Sequence, residues 1–373
     1  MTDQTMVARR VTQLDGLRGI AALVVLFHHT LLTIPSLALG YQSPSKVPSS
    51  AAWLVFSPLH TLWNGNSAVY VFFVLSGFVL VVPLSRRRPD WRSYYPRRLI
   101  RLYLPVWGSV AIACVLILTI PRVAGHEQSW WVNSQVIRLI PHDIVQTIVL
   151  LFGANLINSP LWSLQWEIWF SLLLPVFFLL ATKWSRGWLV KLAALAVIST
   201  IGSVVHIDAL FYLPMFGFGA ILAVEWHRLH RMTTNWGWVR WLMPAVLSVL
   251  MLNSAWDIRA SIPGNGEIAA LGAILLVIVF LFSPVAQRIG DSRAAQWLGR
   301  ISFSLYLVHV PILVSLTFLV RNPAISAPVA IVVCLTAGQI FYWVVERPAH
   351  RLSHAVGRKL ARPTISEGVS TTS

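Results

Sequence analysis

The sequence predicts an all-α protein, a polytopic membrane helix bundle of about ten transmembrane helices with both termini cytoplasmic. Three observations carry this. Hydrophobic residues make up 56% of the 373 and charged residues only 11%, with a mean hydropathy of +0.69, whereas soluble domains carry roughly 25% charged residues. The apolar residues gather in repeated runs of about 20, the length at which a helix crosses a hydrocarbon core of about 30 Å. The basic residues lie between these runs and alternate in density from loop to loop.

Ten runs qualify: 19–39, 66–84, 102–120, 161–182, 188–205, 209–226, 238–254, 266–284, 299–320 and 326–346. They read as helices because backbone groups in lipid must be satisfied within the segment, and no alternating barrel pattern is present. With the N-terminus inside, 24 of the 29 Lys and Arg residues fall on the cytoplasmic side. These include Arg9, Arg10 and Arg18, the Arg86–Arg101 cluster with Arg86, Arg87 and Arg88, and Arg347 to Arg362 at the end. Only Lys46, Arg122, Arg138, Arg259 and Arg321 fall outside. The net charge of +16 is therefore an orientation signal; the expected surroundings are membrane lipids, and nucleic acid is not an expected partner.

The apolar stretch 143–153 is only about 17 Å long as a helix, so it is placed as an interfacial piece of the long outer loop 121–160. Another outer loop, 40–65, is rich in Pro and Ser. The first apolar run is longer than a cleaved leader's core and contains His28 and His29, so it is read as a retained span. Residues 1–348 thus form the membrane domain, and 349–373 a basic, then polar, disordered cytoplasmic tail. Cys114 and Cys334 sit in apolar runs without metal-ligand spacing and read as small core residues; no metal is expected.

Few residue types in such a bundle carry chemistry, and each ionisable one is costly unless it faces a cavity or a partner. Arg18 and His29 are eleven residues apart, which returns to within about 20° of one helix face and displaces them by about 16 Å along the axis. An anionic carrier held at Arg18 could extend an arm of that length to His29. Asp15, three residues before Arg18, shares its face and is placed to hold the guanidinium; His28 points about 100° away. Ser76-Gly77 reads equally as a close helix contact or a catalytic pair, with no triad partner evident. Arg97, Arg98 and Arg101 either set orientation or grip phosphate with their planar guanidinium groups. Glu167, about two turns into the fourth run, should face His29 or a polar cavity. His309 is open between lining a site and packing, and Glu346-Arg347 reads as a structural pair at the cytoplasmic border.

The ordered stretches Leu14-Asp15-Gly16-Leu17-Arg18-Gly19 with His29, Phe72 to Phe78, Arg97 to Tyr103, Leu161 to Glu167, Ser304 to Pro311 and Glu346-Arg347-Pro348 together resemble the acyltransferase-3 family of integral-membrane O-acyltransferases. The resemblance runs from about residue 9 to 348. It implies an acyl-CoA donor, acetyl-CoA first, entering from the cytoplasm as a substrate rather than a resident cofactor. It also implies a carbohydrate or lipid-linked glycan as acceptor, with acylation of a small secondary metabolite as the alternative. The family's arginine and histidine, with ten residues between them, fall on Arg18 and His29. Its serine-glycine motif falls on Ser76 and Gly77, its arginine motif on Arg97, Arg98 and Arg101, and its acidic motif on Glu167. This chain departs from the pattern at Ala68, Ile168, Trp169 and Ser171. The implied mechanism uses His29 as general base or as covalent acyl carrier, with Glu167 fixing its tautomer. A transporter, with the same groups lining a path, is the rival class; no paired repeats with broken helices support it.

Overall fold

The structure is a computed structural model that describes residues 11–85, 89–257 and 265–361. Arg9, Arg10, Arg86, Arg87, Arg88, Arg259 and Arg362 of the orientation pattern lie outside the described residues, as does the tail beyond Ala361. All regular structure among the described residues is helical. The principal helices are α1 (Thr12–Leu32), α2 (Gly65–Leu84), α3 (Trp91–Thr119), α4 (Trp162–Thr182), α5 (Trp188–Val204), α6 (Asp208–Val224), α7 (Trp238–Leu252), α8 (Asn265–Phe282), α9 (Arg293–Leu319), α10 (Pro323–Phe341) and α11 (Arg347–Leu360).

Among the described residues, seven helical stretches are long and apolar enough to cross a membrane. They contain α1, α2, α3, α4, α8, α9, and α10 running on through α11. An eighth is formed if α6 is joined to the helix Trp226–Thr233, which bends away from it by 68°. The other two predicted spans are α5 and α7, apolar helices of 17 and 15 residues.

Three boundaries differ from the sequence reading for local reasons. The first span is not continuous to residue 39. It starts at Thr12 and stops at Leu32, and Pro35 opens a separate helix, Pro35–Gln42, because proline suits a first turn and not a helix interior. The interfacial segment is the helix Pro141–Val149. Tyr103 Oη donates to Val149 O at 2.7 Å, and Trp107 Nε1 to Ile148 O at 3.2 Å, so α3 satisfies carbonyls that its C-terminus leaves open.

The disordered-tail expectation is corrected over its first part, since α11 runs to Leu360. Ala349, Ser353 and Gly357 are its buried residues. Spaced four apart, they form a small-residue stripe that lets α11 lie close against α3; Ser93 Oγ donates to Gly357 O at 2.9 Å. The many charges on its other face concealed that stripe.

The bundle is built around α9, whose apolar window is 83% buried, against 33–56% for the other spanning stretches. In lipid, helices associate largely by close packing, which favours small residues at the contact. A Cβ on Gly16 would meet the Gly290 backbone, and one on Gly19 that of Leu298 and Gly299. A Cβ on Gly299 would in turn meet Asp15 O. The α2–α6 contact works the same way, with Gly77 against Phe216 O and Gly219 against Val74 O.

Gly77→Val therefore forces two backbones apart. We expect a loss of about 1–3 kcal/mol or more, read as a lower melting temperature in detergent, while Gly237→Ala, with nothing within 4 Å of the new Cβ, leaves it unchanged.

Candidate active site

One end of the bundle gathers the arginines. A vestibule of about 590 Å³ is lined by Asp15 and Arg18 from α1, Arg101 from α3, Arg300 from α9, and Glu346 and Arg347 from the passage between α10 and α11. Arg18, Arg101, Ser302 and Phe303 are shared with a narrow neck of about 60 Å³ that runs inward between α1, α2, α3, α4 and α9. Arg98, Ser76 and Glu167 line this neck, and Phe72 and Tyr306 also face it.

The charges are held in place by one another. Arg98 is 9% exposed and pairs with Glu167 through Nη2 and Oε1. Its Nε donates to Ser171 Oγ at 2.9 Å, and that hydroxyl donates to Glu167 O at 2.6 Å. Ser76 Oγ lies 2.9 Å from both carboxylate oxygens of Glu167. Glu346 accepts from the Ser304 N–H at 3.1 Å and from its hydroxyl. Arg98, Arg18 and Arg101 face the neck with one carboxylate, Glu167, among them. The balance is cationic, as an anion-binding site requires.

Deeper along α1, His29 meets His309. His29 Nδ1 lies 3.1 Å from Val25 O and 3.1 Å from His309 Nε2. His309, 1% exposed, has its Nδ1 2.8 Å from Tyr306 O and 3.1 Å from Leu305 O. A carbonyl can only accept, so both Nδ1 atoms carry the proton, a tautomer assigned from these partners. His309 Nε2 then accepts from His29 Nδ1–H, and the neutral His29 is left with a lone pair on Nε2. The Trp131 ring, from the short helix Trp130–Ser134, lies 5.5 Å from the His29 ring.

The structure sorts the predicted residues. Arg18, Arg98, Arg101, Ser76 and Glu167 come together as one site, with Asp15 in the adjoining vestibule. Gly77 belongs to the α2–α6 contact. Of the two expectations for Glu167, the polar cavity is the one met: it faces the neck and engages Arg98 and Ser76, while His309 and the Val25 carbonyl, not Glu167, hold the His29 ring. Arg97 is corrected. It is exposed, packs on Gly357, and sets Nη2 3.1 Å from His354 Nδ1 on α11.

Arg18 lines the neck and His29 does not; Phe72 and Tyr306, with ring centroids 5.8 Å apart, also line it, and the Tyr306 ring lies 5.8 Å from that of His309. The Glu346-Arg347 pair divides too, with Arg347 over the Trp343 ring at 4.3 Å. Sequence reasoning missed Tyr306, Ser171 and Ser304. The first and last lie in a stretch read only for His309, and nothing local marks a serine as the partner of an arginine 73 residues earlier in the chain.

A cationic vestibule, a buried ionic cluster and an imidazole pair inside an apolar helical bundle fit a membrane-embedded transferase. The comparisons give the class its family. The family model described as an acyltransferase domain matches residues 11–345, so the chain belongs to the acyltransferase-3 family of membrane acyltransferases. It is similar to the acyltransferase clz18 of Cochliobolus lunatus, 24% identical over 404 aligned positions that cover 81% of this chain and 82% of that protein. It is also similar to the acyltransferase MdmB of Streptomyces mycarofaciens, 24% identical over 380 positions, covering 92% of each. No solved structure matches.

Breaking the buried pair from one side leaves an uncompensated charge. We expect Glu167→Gln to cost about 3–5 kcal/mol and to depress the melting temperature. The double variant Arg98→Met, Glu167→Leu should recover most of that stability and none of the acyl-transfer activity.

Proposed function

We propose that the protein moves an acyl group, acetyl first, from acyl-CoA to a hydroxyl of an envelope or secreted glycan, with His29 as general base. The observation that carries this is the arrangement along α1. Arg18 sits among cationic groups at the open end, and an imidazole with a free Nε2 sits about 16 Å further along the same helix. That separation suits a phosphate-bearing carrier with a long arm. Arg18, Arg101 and Arg300 would take the coenzyme phosphates in the vestibule, where the guanidinium fork matches phosphate geometry. The arm would enter the neck and displace the Phe72 ring to bring the thioester to His29. Tyr306 is the less movable wall: its hydroxyl lies 2.7 Å from Ser163 Oγ and donates to Pro160 O at 3.0 Å.

In the transfer step the acceptor oxygen attacks the thioester carbon while His29 Nε2 takes its proton. The C–O bond forms, the C–S bond breaks, and the proton passes from Nε2 to the leaving sulfur as free coenzyme thiol. The imidazolium that forms in between is steadied by His309 Nε2, which accepts from its Nδ1–H. A general base of this kind contributes about 10²–10⁴-fold. The topology that fits is ten crossings, α1 to α10, in the cell inner membrane, with both termini and the arginine vestibule on the cytoplasmic side.

We expect His29→Ala to lower acetyl transfer by about 10²-fold or more with unchanged protein level in the membrane, assayed with labelled acetyl-CoA; retained transfer removes His29 from the mechanism. Arg18→Ala and Arg101→Ala should raise the KM for acetyl-CoA and flatten its dependence on salt. His309→Gln keeps an acceptor for His29 Nδ1–H and should hold most of the rate, whereas His309→Leu should lose about tenfold or more, a difference of about 1.4 kcal/mol in the barrier.

A further inference from the structure

Three rings pack on the His29 imidazole, with centroids 4.9 Å away for His28, 5.0 Å for His309 and 5.5 Å for Trp131. The first two come from the long helices α1 and α9. Trp131 comes from the five-residue helix Trp130–Ser134, in the connection between α3 and α4. Since α3 carries Arg98 and Arg101 near its start and ends at Thr119, this connection leaves from the end of the bundle away from the arginine vestibule. Tryptophans near the ends of membrane spans favour the interface, with their polar edge toward water. Trp130 is 36% exposed; Trp131, one helical step on, is turned into the bundle at 7%.

Several side chains hold that segment. Trp130 Nε1 donates to Ala38 O at 2.8 Å, which ties it to the helix Pro35–Gln42 that follows α1. Asn133 clasps Gly125 in both directions: its Oδ1 accepts from the Gly125 N–H at 3.1 Å and its Nδ2 donates to the Gly125 carbonyl at 3.0 Å. Arg122 Nη1 donates to Gln135 O at 3.1 Å, and Ser129 Oγ caps the short helix by accepting from Val132 N at 3.1 Å. Trp131 and Val132 bury in one apolar cluster with Leu26 of α1 and with Leu305 and Val310 of α9. Leu26 lies one turn before His29, and Leu305 and Val310 bracket His309, so the cluster closes the α1–α9 seam at the height of the two imidazoles. Connecting segments are ordinarily the more mobile parts of a fold. This one is pinned, and its buried aromatic rests on His29.

A general base does not distinguish an acceptor hydroxyl from water, and water is far the more abundant. Excluding it is what protects a reactive intermediate or donor from hydrolysis. We propose that Trp131 is the cover that keeps water from the thioester at His29, so that the acyl group passes to the acceptor and not to water. The inference rests on the acyl-transfer reading above and adds to it the control of this side reaction. In that side reaction the water oxygen attacks the acyl carbon while His29 Nε2 takes one of its protons. The C–O bond forms, the C–S bond breaks, and the proton passes to the sulfur, releasing acetic acid and free coenzyme thiol. Trp131 itself takes no proton; it acts by occupying the place water would take.

The test uses the full-length protein in lipid vesicles with acetyl-CoA labelled in its acetyl group, and follows label into free acetate or into components of an extract of the producing cell. With no extract added, Trp131→Ala should release acetate about tenfold or more faster than wild type. Trp131→Phe, which keeps a ring on the imidazole, should stay near the wild-type rate. Asn133→Ala, which unclasps the segment and leaves Trp131 unchanged, should give a smaller rise than Trp131→Ala. Adding His29→Ala to Trp131→Ala should abolish the rise, a dependence that mere loosening of the bundle would not show. Acetate release at the wild-type rate in Trp131→Ala overturns the proposal, and so does a rise that survives His29→Ala. If Trp131→Ala fails to fold, Asn133→Ala decides by the same measure. If neither folds, the wild type decides with extract present, where acetate released as fast as extract is labelled overturns the proposal. A wild-type protein that labels no component of the extract removes the acyl-transfer reading itself, and this inference with it.

Discussion

The site depends on how closely α1 can lie against α9, because His29 meets His309 across that contact and Arg18 lines the neck together with Ser302 and Phe303. Gly19 lies against the Leu298 and Gly299 backbone of α9, and Gly16 against Gly290 in the helix Pro284–Gly290 just before it, where any side chain would collide. Lipid offers no hydrophobic drive toward helix association, so packing at small residues must supply it. The glycines of the Leu14–Gly19 stretch are therefore as much a part of the site as its arginine.

The second constraint is electrostatic. Arg98 and Glu167 are 9% and 15% exposed, and neither is tolerable there alone. Their pairing, extended by Ser76 and Ser171, brings α2, α3 and α4 together at one point. It also leaves Arg18 and Arg101 in positive excess at the neck. The same cluster holds the helices and keeps the neck attractive to an anion. Glu346 on Ser304 performs a similar task at the vestibule rim.

Much of this was legible in the chain. The apolar runs gave the helices, most to within a few residues, because about 20 consecutive apolar residues have few other solutions in water or lipid. Arg18, Ser76, Arg98, Arg101 and Glu167 stood out because ionisable or small polar residues in such runs need a reason. What was misjudged involved partners from far away in sequence. Glu167 was left between His29 and a polar cavity because no local rule distinguishes a carboxylate aimed at an imidazole from one aimed at an arginine. Arg97 and Arg98 are neighbours, yet the 100° helical step turns one onto α11 and the other into the neck. The helix within the expected tail was hidden because a stripe of Ala349, Ser353 and Gly357 carries no hydrophobic signal.

The sequence alone determined that the protein is a membrane helix bundle, and that an arginine and a histidine share one face of its first helix, since composition and helical periodicity are local properties. Only the tertiary structure decided that His309 hydrogen-bonds His29, that Tyr306 lines the neck and also packs on His309, and that Tyr41, on the wall of a second cavity, bonds His28. These depend on which helices touch and at what height. In an apolar bundle that is decided by the fit of glycines and the pairing of a few buried polar groups, both of them contacts between residues remote in the chain.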